Sequence, residues 1–466
     1  MKIYTNGKFY TEIADVVRAF GFDATESTFE QANLLVMGKL DGQIYHTRCT
    51  VDGIEKEYEI NCPIDDEIMS VRLQKRYDKL ATYYCLKQLT GRQLPWGSLT
   101  GIRPTRLAEE IQRNEGLDYV KTFRDLLDVT DEKLTLVKDI LDAQSGLKNK
   151  DASLVDLYVG IPFCISKCTY CSFTSGIISK LKHLVEPYVS SLCDEIKLTV
   201  NLIEKKGLRL KNLYIGGGTP TSLEVEDLRK ILSVLPRCDG EFTVEAGRPD
   251  TITVEKLQLF KEFGVNRISI NPQTFNQSVL DSVNRCHTTQ DIYDKYNLAK
   301  SFGFCINMDL IAGLPTESFE MFCNSINQVV ALDPENVTVH TLALKKGSLL
   351  KEQNFVASDA TVAQMVNFAR QKLNEAGYLP YYMYRQKYMT ENLENVGFCK
   401  SGTQCLYNID NMEETTSILA CGANAITKRI FQNGGRIERV ANQKDVITYI
   451  EKYKSNLEKK KALFDL

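Results

Sequence analysis

The chain has 466 residues, 43% of them hydrophobic and 25% charged, with a formal net charge of −3. That is ample apolar material for two or three domains, and the near-neutral balance excludes a general pull toward nucleic acid or an anionic membrane. The opening MKIYTNGKFY has no apolar core of signal-peptide length, and no segment approaches about 18–20 uninterrupted apolar residues, so a soluble cytoplasmic protein is expected.

Residues 1 to about 62 alternate as strands do. Asn33–Lys39 and Ile44–Val51 read as a hairpin around Leu40-Asp41-Gly42, with a short helix at Ala14–Phe20. A long helical pattern follows from Asp65 to Leu89, with Lys and Arg on one face. GRQLPWGSLTGIRPTRL is a Gly- and Pro-rich loop carrying Arg92, Arg103 and Arg106. Helices are expected at 105–113 and 131–143, then a linker at 145–151.

From Leu154 the pattern changes to short apolar runs alternating with helical stretches. Strands are expected at 156–161, 210–215, 241–246, 267–271, 305–311 and 336–342. Helices are expected at 183–206, 224–235, 253–263, 289–302 and 317–331. This is the signature of parallel βαβ units, in either an open doubly wound sheet or an incomplete barrel. A helix at 361–376, strands at 378–389 and 417–426, and a charged helix at 443–461 complete the chain. The domains expected are an α+β accessory domain at 1–150, a barrel-like domain at 151–345 and a substrate-covering region at 346–466.

Most of the 14 cysteines, such as Cys85, Cys193, Cys305 and Cys323, lie singly in apolar stretches and read as small core hydrophobes. The exception is LYVGIPFCISKCTYCSF, Leu157–Phe173, which presents Cys164, Cys168 and Cys171 on one loop after a strand. A closed zinc site needs four ligands, and no His or further Cys follows at a suitable spacing. Three thiolates can hold a 4Fe–4S cluster and leave one iron open.

Cys164, Cys168, Tyr170 and Cys171 resemble the CxxxCxYC signature of radical S-adenosylmethionine enzymes. The resemblance implies a partial (β/α)6 barrel and a cluster whose fourth iron is chelated by the amino and carboxylate groups of S-adenosyl-L-methionine. One-electron reduction would then release a 5′-deoxyadenosyl radical. It also implies that the loop with Gly217, Gly218 and Thr219 holds the methionine end of the cofactor; a phosphate-cradling reading lacks the Lys-Ser/Thr it requires. By the same resemblance Glu245, Gln273 and Asp309 are polar contacts of the cofactor, Asp309 to the ribose hydroxyls, and Arg285 pairs with its carboxylate. Tyr158, Ile311 and Ala343 line the adenosyl pocket, with Tyr158 also carrying a catalytic role.

LYVGIPFC, GGGTPT, NPQTFN, NRCHT, DLIAGLP and YRQKYMTENLENVGF resemble the oxygen-independent coproporphyrinogen III oxidase group. WGSLTGIRPTRL and the YRQK–ENLENVG stretch resemble its HemZ-type branch. This implies abstraction of hydrogen from the β-carbon of a substrate propionate, loss of carbon dioxide, and transfer of an electron to an acceptor. A vinyl group remains, and two propionates in turn give protoporphyrinogen IX. The implied partners are a tetrapyrrole, coproporphyrinogen III or haem, and an electron donor such as flavodoxin or ferredoxin. Tyr381, Tyr382, Tyr384, Arg385 and Lys387, with Arg103 and Arg106, offer the flat side chains and cations such a substrate needs. Each has an ordinary structural reading as well. The four His (46, 183, 287, 340) show no ligand spacing, and His287 reads as a supporting group.

The sequence departs from the main decarboxylating branch twice. Phe173 stands where that branch carries a further Cys, and Gly160 where a His often precedes IPFC. The sister branch that handles haem also lacks the further Cys, so a haem-delivery protein is the alternative. An RNA-modifying radical enzyme is a third reading, opposed by the absence of a second Cys triad and of net positive charge.

Overall fold

The computed structural model describes the chain except Ile102, Asp239, 356–358, 387–388, 390–392, 432–435 and Leu466. It divides into two compact units, Met1–Asp139 with Tyr384–Leu393, and Ile140–Met383 with Glu394–Leu466.

In the first unit, strands β1 (Lys2–Thr5), β2 (Thr25–Glu26), β3 (Leu34–Asp41), β4 (Ile44–Val51) and β5 (Ile54–Asn61) form one sheet in the order β2-β1-β3-β4-β5. The β4–β5 turn places Asp52 at φ 47° and Gly53 at φ 77°. That is the primed turn whose twist matches a two-residue hairpin. Alternation in β4 buries Tyr45, Thr47, Cys49 and Val51. The long helix Glu67–Thr90 adds Ala81, Tyr83, Cys85 and Leu86 to the same core. Asp66 caps that helix by accepting the Met69 amide at 2.9 Å, and Gly91 ends it in the left-handed region. Its basic face is spent on acids of the same unit: Arg72 on Glu110, Lys75 on Glu12, and Arg76 on Glu115 in a fork of two 2.9 Å bonds.

The second unit is built on β6 (Leu154–Ile161), β7 (Phe163–Cys164), β8 (Gly176–Ile177), β9 (Arg209–Gly217), β10 (Phe242–Glu245), β11 (Arg267–Ser269), β12 (Cys305–Ala312) and β13 (Asn336–Thr341). Strands β14 (Leu379–Tyr384), β15 (Asn395–Cys399), β16 (Ser417–Cys421), β17 (Ile426–Ile430) and β18 (Ile437–Ala441) follow. Strands β6, β9, β10, β11, β12 and β13 lie side by side in chain order and pair in parallel. The helices Lys182–Lys205, Val225–Ser233, Val254–Glu262, Thr289–Ser301 and Phe319–Leu332 connect them. This is a mixed α/β arrangement of parallel βαβ units, as expected of a partial barrel. Among the described residues β13 does not pair back onto β6; β15 pairs antiparallel to β13, and β16 parallel to β6, which extends the sheet at both edges.

Two expectations need correction. SILACGANAI, expected as one strand, ends at Cys421 and resumes as β17, because Gly422 (φ 102°) and Asn424 (φ 61°) turn the backbone. The strand expected at 378–389 stops at Tyr384, and Lys387 lies outside the described residues. Within the first unit Arg385 is 2% exposed, donates to the carbonyls of Leu99 (2.6 Å) and Gly101 (3.3 Å), and stacks over Trp96. Its ordinary reading as a structural group is the one the geometry supports.

Inward-facing positions of the parallel strands are polar, and the segment after β15 closes their N-terminal ends. Glu241 pairs with Arg267 at 3.2 Å and accepts the Leu406 amide at 3.1 Å. Arg267 and Asn336 donate to the Thr403 carbonyl at 2.9 and 3.0 Å, and Asn212 bridges Asp156 and Asp410. The C-terminal helix Val446–Asp465 is pinned by a fully buried ion pair, Lys460 to Glu195. Glu195 also accepts from the Gly422 amide, Asn442 and Tyr449.

Candidate functional site

The C-terminal end of β6 runs into the cysteine loop, and backbone pairing closes that loop. Phe163 and Cys164 in β7 pair with Gly176 and Ile177 in β8, and the Ile178 amide donates to the Cys164 carbonyl at 2.8 Å. Beside it, β9 ends in Gly216-Gly217-Gly218-Thr219. The Gly218 and Thr219 amides both donate at 2.7 Å, to the carbonyls of Ile161 and Phe163, and the Thr219 hydroxyl reaches the Cys164 sulfur at 3.5 Å. No side chain fits here. A Cβ on Gly218 would stand 2.6 Å from the Phe163 carbonyl oxygen and 3.0 Å from the Cys164 sulfur, and Gly217 holds φ at 112°.

Cys168 is buried, and two guanidinium groups, Arg248 and Arg285, each reach its sulfur at 4.0 Å. Arg285 also donates to the Tyr170 hydroxyl (3.1 Å) and to the carbonyls of Gly247 (2.8 Å) and Asn271 (2.5 Å). Its terminal nitrogens therefore tie the cysteine loop to the ends of β10 and β11. The Cys171 thiol is pushed up to about 11, by burial first and with Cys168 and Cys164 adding to it. Binding as thiolates requires a metal to displace protons. Tyr170 packs with Ile311, Val279, Val283, Leu314, Leu342 and Leu350 in an apolar cluster.

Deeper between the strands, Tyr158, Tyr214 and Tyr407 stack, with Tyr214 and Tyr407 at 4.4 Å and 21°. Burial, then the Glu245 carboxylate, drives the Tyr158 phenol well above its usual range, so it is a hydrogen-bond donor and not a base. Burial pushes Glu245 up to about 7 even though Tyr214 donates to it at 2.5 Å. Burial would also raise Asp309, but His340 at 3.5 Å and the Asn307 amide at 2.7 Å outweigh it and hold that carboxyl below its usual range. Two carboxyl groups in one lumen are thus pushed apart. Near neutrality Glu245 shares a proton and Asp309 stays charged.

Gln273 sits at φ 66°, with its amide on the Asp309 carbonyl (2.9 Å) and its carbonyl accepting the Ile311 amide (3.1 Å). The side-chain oxygens of Gln273 and Asn271 are buried and make no hydrogen bond within the chain. Ala343 follows β13 and is half-buried. The glycine loop, Glu245, Gln273 and Ile311 lie at or just past the C-terminal ends of the parallel strands, where such sheets carry their sites, and Arg285 bonds the backbone there; Tyr158 and Asp309 lie further down β6 and β12.

These residues fit a three-thiolate cluster with an amino-acid cofactor. The sulfurs lie on one closed loop, the glycines clear a cradle that any Cβ would fill, and the buried side-chain oxygens of Asn271 and Gln273, just past β11, have no partner within the chain. Among the described residues no three His, Cys, Asp or Glu converge on a single ion. Cluster thiolates have no need to, because each reaches a different iron.

Sequence reasoning missed Arg248, Ser166, Asn307, Tyr214, Tyr407 and the pairing of His340 with Asp309. Only the alternation of inward positions along β9, β12 and β13 could have exposed Tyr214, Asn307 and His340. His287 lies buried beside Arg285, and burial pushes its imidazole down to about 3, which makes it a neutral supporting group.

Comparison with known proteins agrees with this geometry. The family described as the Radical SAM superfamily matches residues 158–329. The chain is 37% identical over 393 residues to the oxygen-independent coproporphyrinogen-III oxidase-like protein HemZ of Bacillus subtilis, covering 80% of this chain and 78% of that one. It is 38% identical over 196 residues to the heme chaperone HemW of the same organism, covering 40% of this chain and 50% of that one. To HemW of Escherichia coli it is 29% identical over 289 residues, 60% and 71%. The solved coproporphyrinogen III oxidase HemN of Escherichia coli superposes with a TM-score of 0.53 at 22% identity, over 71% of this chain and 74% of that one, which supports the fold. The chain therefore belongs to the radical SAM superfamily, in the coproporphyrinogen III oxidase-like HemZ family, whose cofactors are a 4Fe–4S cluster and S-adenosylmethionine.

Proposed function

We propose that this chain catalyses the oxygen-independent oxidative decarboxylation of two coproporphyrinogen III propionates to vinyl groups. The product is protoporphyrinogen IX, in porphyrin and haem synthesis. The observation that carries the proposal is the likeness to the oxidase-like relative over 80% of the chain. That span includes residues far outside the cofactor-binding segment. When bound, the cluster and S-adenosylmethionine supply the one-electron chemistry that creates a hydrogen-abstracting group.

The chain's own residues do the rest. Cys164, Cys168 and Cys171 hold the cluster, and Gly217, Gly218 and Thr219 give backbone access to the methionine end of the cofactor. Gln273 and Asn271, whose buried side-chain oxygens have no partner, would accept from the cofactor's amino group, Asp309 would accept from its ribose hydroxyls, and Ile311 and Ala343 would wall the adenosyl portion. Arg285, with Tyr170, fixes the cysteine loop against the ends of β10 and β11 and would pair with the cofactor carboxylate. The Tyr158–Tyr214–Tyr407 stack is a flat apolar wall, suited to a macrocycle. Tyr158 serves as a hydrogen-bond donor and Glu245 as a proton-sharing carboxyl whose affinity is matched to neutral pH. Closure of the N-terminal strand ends by the 403–415 segment keeps water from entering from that side.

One position favours a second reading, stoichiometric haem binding without decarboxylation. Phe173, two residues past Cys171, is 65% exposed and stands where the decarboxylating branch has a Cys. Anaerobically reconstituted protein, given S-adenosylmethionine, reductant and coproporphyrinogen III, decides between the two. Products lighter by one and two formic-acid equivalents are expected. Intact substrate alongside cofactor cleavage, with one haem retained per chain, refutes the decarboxylase reading. An electron donor of the flavodoxin or ferredoxin type and a cytoplasmic location accompany the proposal. Among the described residues no helix is long and apolar enough to cross a membrane.

A further inference from the structure

Arg248 is absent from every motif that marks the site, yet it is a buried, multiply bonded cation beside the cluster loop. It lies three residues past the Glu245 that ends β10 and is 3% exposed. Its guanidinium forks onto Asp250, with nitrogen–oxygen distances of 3.2 and 3.0 Å. One terminal nitrogen donates to the Ser166 hydroxyl at 2.7 Å and reaches the Cys168 sulfur at 4.0 Å. Ser166 in turn donates to the Asn284 carbonyl at 2.9 Å, next to Arg285, whose own guanidinium reaches the same sulfur at 4.0 Å.

The backbone of Arg248 is fixed too. Its carbonyl accepts the Thr251 amide (3.0 Å) and hydroxyl (2.7 Å), and Thr251 bonds Thr221 at 2.6 Å, in the turn that follows the glycine loop. A side chain held at both ends meets one cluster ligand with a full positive charge, in a buried setting where charge acts strongly. Arg285 has other partners on the loop and on two carbonyls. Arg248 meets the cysteine loop at Ser166 and Cys168 and is balanced by the carboxylate of Asp250.

We propose that Arg248 is a positioning residue that raises the reduction potential of the cluster through Cys168, and that Asp250 offsets it. The reduced cluster carries one more electron than the oxidised form. A cation beside a ligand sulfur therefore stabilises the reduced form more, and hydrogen bonds and charge at the sulfurs are known levers on such potentials. The inference rests on the cluster and not on the decarboxylation reading, so the two can fail separately.

The test is a dithionite titration of the reconstituted holoprotein, without substrate, followed by the electron paramagnetic resonance signal of the reduced cluster. Arg248→Met removes the charge and is expected to lower the potential by about 59 mV, a tenfold shift in the one-electron equilibrium. Asp250→Asn removes the counter-charge and keeps the arginine, so it is expected to shift the potential the opposite way. Arg248→Lys keeps the charge and is expected to lie between wild type and Arg248→Met. A merely structural role would move Arg248→Met and Asp250→Asn in the same direction, because both loosen the same fork. A common direction, or no shift in either, overturns the proposal. Should Arg248→Met fail to hold a cluster, the sign for Asp250→Asn alone decides.

Discussion

Gly218→Ala adds one methyl group at the seat of the first cluster ligand. Its Cβ would lie 2.6 Å from the Phe163 carbonyl oxygen, 3.0 Å from the Cys164 sulfur and 3.1 Å from the Ile161 carbonyl oxygen. None of these is the far end of a flexible side chain. To bring the nearest contact out to 3.0 Å, the β7 backbone has to retreat by 3.0 − 2.6 = 0.4 Å. Metal–ligand distances tolerate only about 0.2 Å. The clash therefore falls on the geometry of Cys164 as well as on the fold.

Overpacking of this kind costs about 1–3 kcal/mol, and contacts with backbone on two strands place this case near the upper end. That lowers Tm by roughly 2–4 °C without unfolding the chain at 25 °C. Anaerobic reconstitution, with iron and acid-labile sulfide measured per chain, is expected to show a clear loss of cluster. Gly207→Ala is the control. Its φ is 63° and nothing lies within 4 Å of its Cβ, so it carries a backbone cost of about 1–2 kcal/mol and keeps the cluster. Full iron content with a wild-type Tm in Gly218→Ala would refute the reasoning.

Two further predictions concern stability. Burial pushes Glu317 up to about 8, against the pull of the Thr274 hydroxyl at 2.6 Å, from an ordinary value of 4.5. Between those values the folded chain keeps a proton that the unfolded chain has lost, so stability falls as pH rises through that window and levels off above it. Glu317→Gln is expected to flatten this slope and to gain on the order of a few kcal/mol at pH 8.5; an unchanged slope in thermal melts would count against it. Lys460→Met leaves Glu195 charged and buried without its cation and is expected to cost about 3–5 kcal/mol in denaturant titrations. In the cycle with Glu195→Gln the double variant is expected to lose much less than the sum of the two single variants, and a loss equal to that sum would show that the pair is not coupled.

Much of the fold was legible because local chemistry fixes it. The six parallel strands are short runs in which buried apolar residues recur, and three of the five helices between them carry their own caps: Thr253, Thr288 and Ser318 each accept an amide of the first turn. The Cys164/Cys168/Cys171 spacing names its chemistry without a third dimension, since three thiols on one loop are held together by the chain itself. Tertiary structure decided what depends on partners distant in sequence. Gly422 and Asn424 broke a run that composition read as one strand, and Tyr384–Leu393 joined the unit built from the first 139 residues. Tyr407 completed an aromatic wall begun at Tyr158. Arg248 is an ordinary surface residue in the sequence and a buried neighbour of Cys168 in the fold, because its role comes from a sulfur eighty positions away. The sequence by itself determined which cofactor this protein holds. The fold determined which charges surround it, because electrostatics depends on separation in space and not along the chain.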